Sequence, residues 1–134
     1  MTLPPFHRRI LVADDDREVR LGVADLLNDL GLEILHAETG IEAVELVRGT
    51  RIDAALLDMH MPGYTGMQAI PLLRGFNKVL PCIVYSGRWS PDLEQEVLSA
   101  GAFACLKKPV EPVMLRRTVC VALGLRTDAS YHNN

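Results

Sequence analysis

Five times along this chain a short apolar run stops on a polar side chain, and a segment with apolar residues at helical spacing follows. No other feature constrains the fold as much. Strands separated by helices lie parallel, because a parallel pair needs a crossover of a dozen or more residues and a helix supplies one. Such crossovers are right-handed almost without exception, and their helices cover both faces of the sheet. The class is therefore α/β. Open sheets of this class bind ligands outside the carboxyl ends of their strands, so chemistry is to be sought where the apolar runs stop.

The first run, Ile10-Leu11-Val12-Ala13, ends in Asp14-Asp15-Asp16, and Val19, Val23, Leu26, Leu27 and Leu30 then share a helix face until Gly31 stops it. Leu32 to His36 alternates as a strand does, and Thr39 and Glu42 stand at capping-box spacing ahead of a helix from about residue 40 to Gly49. Asp53 to Asp58 is almost continuously apolar and closes on a lone carboxylate before the turn-rich Met59 to Gly66. The spacing predicts a third helix from about Gly66 to Phe76, and Pro71 inside it predicts a kink or a short helix. Pro81 to Tyr85 closes on Ser86-Gly87, and Ser90-Pro91 reads as an N-cap and first-turn proline for a helix reaching Ala100. Ala102 to Leu106 is the last strand, ended by Lys107-Lys108-Pro109, and a helix from about Pro112 to Leu125 precedes a polar tail.

With 134 residues, 49% hydrophobic and 23% charged, the chain has the make-up of one globular domain that needs no disulfide or structural metal to fold. A net charge of −3 is too weak, and of the wrong sign, for a protein whose surface grips nucleic acid. No run approaches the roughly 18 apolar residues of a membrane helix. The start, Met1 to Pro5, lacks the features of a secretion signal, so the cytoplasm is the expected compartment. Cys82, Cys105 and Cys120 are widely separated and each has apolar neighbours, and they read as buried core thiols.

The strand ends deliver Asp14 and Asp15, Asp58, Ser86 and Lys108 to one edge. Carboxylates crowded in a partly dehydrated cleft repel, so either their pKa values rise or a cation sits among them. Magnesium suits such a site: it takes one or two carboxylates, keeps waters and binds phosphate oxygens, whereas zinc would want His or Cys. Lys108 and Ser86 can bind two phosphoryl oxygens while a metal binds a third. Nothing matches the P-loop pattern, so the phosphate is not held as a P-loop nucleotide and its acceptor is a side chain. Asp58, alone at the end of its strand, is the best placed.

The runs Ile10 to Asp16 and Leu57 to Gly63 with Gly66, the pair Ser86-Gly87 and the pair Lys108-Pro109 together resemble the receiver domain of two-component response regulators. The resemblance covers residues 8–125, leaving 1–7 as an extension and 126–134 as a polar tail. It implies a flavodoxin-like fold of five parallel strands in the order 2-1-3-4-5. It implies that Asp58 accepts a phosphoryl group from the phosphohistidine of a sensor kinase or phosphotransfer protein, and that the acyl phosphate later hydrolyses. Mg²⁺ would be bound by Asp15, Asp58 and the backbone carbonyl of His60, with Asp14 acting through water. Lys108 would pair with phosphoryl oxygens across a candidate cis Lys108-Pro109 bond, and Ser86 would swing inward as the switch. The family usually has Tyr or Phe where this chain has Cys105, and a small thiol cannot fill or vacate an aromatic volume.

Ordinary roles compete at several of these positions. Asp16 is expected to cap the first helix, and Lys107 to face solvent, since neighbours along a strand point to opposite sides. His60 is expected to turn its side chain outward, and Arg116 and Arg117 to be solvated rather than to bind nucleic acid. The signalling-switch reading, in which the chain is not an enzyme, has two rivals: a phosphorylation-independent interaction module, and an aspartyl-nucleophile phosphatase. The phosphatase pattern wants a second acid two residues after the nucleophile, where His60 stands. No membrane partner is expected, the output partner is unspecified, and homodimerisation is left open. The chain is either a stand-alone regulator or the receiver of something longer.

Overall fold

Side chains alternate across a strand, and here the alternation divides the core into two layers. The computed structural model describes residues 8–125, so the expected extension 1–7 and tail 126–134 lie outside the described residues. In chain order the elements are β1 (Arg9–Ala13), α1 (Arg17–Leu27) with a 3₁₀ turn (Asn28–Leu30), β2 (Glu33–Ala37), α2 (Gly40–Gly49) and β3 (Ala54–Asp58). There follow α3 (Gly66–Phe76), β4 (Cys82–Ser86), α4 (Pro91–Ser99), β5 (Ala104–Lys107) and α5 (Pro112–Leu123). The five strands are all parallel, in the order β2-β1-β3-β4-β5. Ile10, Val12, Leu56, Ile83 and Tyr85 face α1 and α5, where Val23, Leu27, Leu115 and Val119 meet them. Leu11, Ala55, Leu57 and Val84 face the other way, against Val47, Ile70, Leu73 and Val97 of α2, α3 and α4.

Local chemistry sets the helix ends. Asp16 caps α1 by accepting from the Glu18 and Val19 N–H groups, and Ser90 caps α4 by accepting from Leu93. Thr39 caps α2 by accepting from the Glu42 N–H, while the Glu42 carboxylate reaches back to the Glu38 N–H rather than to Thr39 itself. The first helix tightens into the 3₁₀ turn before Gly31, whose φ of 73° ends it. The last helix ends at Leu123, earlier than the sequence pattern indicates, because Gly124 adopts φ 71°.

Of the two outcomes expected of Pro71 the short helix is not found, and the expectation for Arg116 is corrected. The third helix is not shortened by Pro71: it runs from Gly66 to Phe76, secured by a full Thr65–Gln68 capping box and by buried Ala69, Ile70 and Leu73. Pro71 lies on its exposed side, where water can serve the carbonyl that loses a partner. Arg116 is not simply solvated. Its Nη1 donates to the Leu26 carbonyl at 2.8 Å and to Asp29 at 2.6 Å, tying α5 to the end of α1, whereas Arg117 is exposed. The three cysteines are free and buried, as their apolar neighbours indicate.

Candidate functional site

Parallel strands bring their carboxyl ends to one edge, and the polar residues of β1, β3, β4 and β5 meet there. Asp14, just past β1, is fully buried and uses both oxygens: Oδ1 accepts from the Asp16 N–H at 2.8 Å, and Oδ2 from the Tyr85 hydroxyl at 2.7 Å. The Lys108 ammonium is 3.0 Å from that same Oδ2 and 3.0 Å from Oδ1 of Asp58, so one cation bridges two carboxylates. Asp58 ends β3 with 4% of its surface exposed, and its Oδ1 also accepts from the His60 N–H at 3.3 Å. Asp15 is exposed. Asp14, Asp15 and Asp58 each offer a carboxylate oxygen, and these lie within 4.8 Å of one another.

Burial pushes the Asp58 carboxyl above its usual range, and the nearby Asp14 charge adds to this against the opposing pull of Lys108. Asp14 differs. Burial opposes its ionisation too, but the Asp16 N–H, the Tyr85 hydroxyl and Lys108 together hold it below the usual range. Burial disfavours the Lys108 charge, yet the hydrogen bonds and charges of the two carboxylates raise its pKa. Three carboxylates against one bridging ammonium leave an excess of negative charge at a cluster of hard oxygen donors, which fits a divalent, oxygen-seeking cation such as Mg²⁺.

The loop after β3 is held close to this cluster. A Cβ on Gly66 would stand 2.9 Å from the Asp58 carbonyl oxygen, so only glycine lets α3 start there, with its N–H donating to the Met59 carbonyl at 3.1 Å. The His60 side chain is exposed and its backbone lies beside Asp58. Ser86 ends β4, fully buried, and its Oγ accepts from the Arg88 N–H at 3.0 Å. Its carbonyl accepts from the Lys108 N–H at 2.9 Å, which joins the β4 end to a Lys108–Pro109 peptide that is cis. Lys107 points away, exposed, with its ammonium 4.3 Å from the Trp89 ring centroid. Cys105 is buried and lines a cavity of about 390 Å³ together with Trp89, Lys107, Val110 and Met114.

The family model of the response regulator receiver domain matches residues 10–120, a span that contains every strand end just described. The chain belongs to that family. Response regulator MprA of Mycobacterium tuberculosis is 39% identical over 101 residues, which are 75% of this chain and 44% of that one. The autoinducer sensor kinase/phosphatase CqsS of Vibrio cholerae is 34% identical over 116 residues, 84% of this chain and 17% of that one. This receiver domain thus spans less than half the length of these curated relatives. Among solved structures, the chemotaxis protein CheY4 of Vibrio cholerae superposes with a TM-score of 0.80 at 30% identity, covering 87% of this chain and 99% of that one. The fold is the CheY-like, flavodoxin-like one that the motifs imply. Among the described residues of the receiver, no helix is long and apolar enough to cross a membrane.

Two residues of this receiver site escape the strand-end argument. Tyr85 reads in the sequence as the last apolar residue of a strand, yet its hydroxyl is bonded to Asp14. The available signal was the hydroxyl itself, which needs a partner wherever a tyrosine is fully buried. Arg20 is 6% exposed, and its Nη1 donates to the Asp14 carbonyl at 2.7 Å. Its signal was a charge on the buried stripe of α1, four residues after Asp16 and three before Val23.

Proposed function

We propose that this receiver domain, residues 8–125, is the phosphoacceptor of a two-component system, and that Asp58 takes a phosphoryl group from the phosphohistidine of a partner kinase or phosphotransfer protein. The observation that carries the reading is the bridging of Asp14 and Asp58 by Lys108 beside a third carboxylate. An Asp58 oxygen attacks phosphorus; the O–P bond forms as the P–N bond breaks, and the departing imidazole keeps the electron pair. Water later cleaves the acyl phosphate to the carboxylate and inorganic phosphate. Mg²⁺, held by Asp15, Asp58 and the His60 carbonyl with Asp14 acting through water, would supply positive charge opposite the phosphoryl oxygens. Lys108, already 3.0 Å from Asp58, reaches a phosphoryl oxygen by a short movement, and the Ser86 hydroxyl turns from Arg88 toward another.

On this reading the chain is a regulated switch rather than an enzyme, and it works in the cytoplasm, where ATP-dependent kinases operate. Cys105 takes no aromatic part in relaying the change. Incubation with acetyl phosphate and Mg²⁺ followed by intact-mass measurement tests the proposal: the protein gains one phosphoryl mass and Asp58→Asn does not. A gain that persists in Asp58→Asn removes the assignment.

A further inference from the structure

The Lys108 ammonium has a partner to leave before it can serve a phosphoryl group. It is shared between Asp58 Oδ1 and Asp14 Oδ2 at equal distances of 3.0 Å. Once Asp58 is esterified that oxygen loses its charge, and only the contact with Asp14 still holds the ammonium back. Asp14 is fully buried, and a buried carboxylate oxygen left without a donor costs the full desolvation penalty of the group. A single donor on Oδ2 would therefore tether Lys108 to Asp14.

Oδ2 has a second donor, the Tyr85 hydroxyl at 2.7 Å. Tyr85 belongs to β4, is fully buried, and its ring centroid lies 4.7 Å from the Lys108 ammonium. The apolar core layer that Tyr85 belongs to, shared by α1 and α5, asks only for a large apolar side chain at this position, so the core does not account for the hydroxyl. We infer that Tyr85 is a positioning residue: its hydroxyl keeps Asp14 Oδ2 paired when the ammonium departs, and so frees Lys108 for the phosphoryl oxygens. Its ring face gives the ammonium a favourable surface over which to move. The inference rests on Asp58 being the phosphoacceptor.

The test compares the full chain with Tyr85→Phe, which keeps the ring and removes the donor. Calorimetry measures Mg²⁺ affinity and then, with Mg²⁺ saturating, the affinity for beryllofluoride, which mimics the phosphoryl group. Mg²⁺ binding does not require Lys108 to leave Asp14, so its affinity should stay within about twofold, whereas beryllofluoride affinity should fall about tenfold, the worth of about one hydrogen bond to a charged group. A purely structural tyrosine would weaken both together or neither, and either result overturns the inference. Failure of the unmodified chain to bind beryllofluoride overturns the acceptor reading instead. Should Tyr85→Phe not fold, proton NMR of the unmodified chain decides: the Tyr85 hydroxyl proton should stay protected when Mg²⁺ and beryllofluoride are added, and its loss would overturn the inference.

Discussion

Lys108 places a positive charge 3.0 Å from Asp14 and from Asp58, at the edge of the acidic cluster, and this makes its removal informative. Lys108→Met should tighten Mg²⁺ binding several-fold, because a positive charge is taken from the edge of the acidic cluster, and weaken beryllofluoride binding at least tenfold. Titration calorimetry reads both, and parallel changes would show that Lys108 does not divide its role in this way. Asp58 makes a second prediction. Its pKa is raised in the fold, so its charged form opposes folding, and that cost grows as pH rises from the ordinary 3.8 through the folded value. Asp14 has the opposite sign: its contribution is present above 3.8 and is lost as pH falls through its lowered value. Without metal, Asp58→Asn should therefore melt a few degrees above the unmodified chain at neutral pH, with the gap closing at about pH 3, where both forms are neutral. A lower melting temperature for Asp58→Asn at neutral pH would refute this balance.

Elements are set by patterns shorter than one turn or one strand, which is why so many were readable in advance. Asp16, Thr39 and Ser90 cap helices because their side-chain oxygens reach N–H groups two or three residues on. Pro71 shows where a local rule is overridden: the missing hydrogen bond is a cost, but the buried face of α3 and its capping box outweigh it. Pro71→Ala should then stabilise the domain by about 1–2 kcal/mol in denaturant unfolding, the gain from a restored N–H being partly offset by a more flexible unfolded chain. No gain would mean that the proline is accommodated without cost. Gly66 marks the reverse case, a residue whose need is set by another element, since it is the approach of Asp58 that leaves no room for a Cβ.

Across the whole molecule, the β4 end connects the acidic cluster to the surface around Trp89. Ser86 is joined to Lys108 through the backbone and to Arg88 through its hydroxyl, and Trp89 packs on the core layer of α2 to α4 with Lys107 over its ring. A shift of Ser86 to meet a phosphoryl oxygen should move this segment, so Mg²⁺ with beryllofluoride should change Trp89 fluorescence. An unchanged spectrum at saturation would show that the Trp89 segment does not respond.

What the sequence by itself determined is whatever depends on near neighbours and on the side-chain period: the α/β class, most helix ends, and the acids, serine and lysine at the strand ends. Asp58 was legible because a carboxylate that closes an apolar strand interrupts a short-range pattern. Only the tertiary structure decided who partners whom inside the site. Tyr85 meets Asp14 across 71 positions and Lys108 meets it across 94, and Arg116 reaches Asp29 across 87. The physical reason is that a hydrogen bond in a buried site depends on a few ångströms of relative placement, and that placement exists only once the sheet has aligned its strands and both helical layers have packed against it.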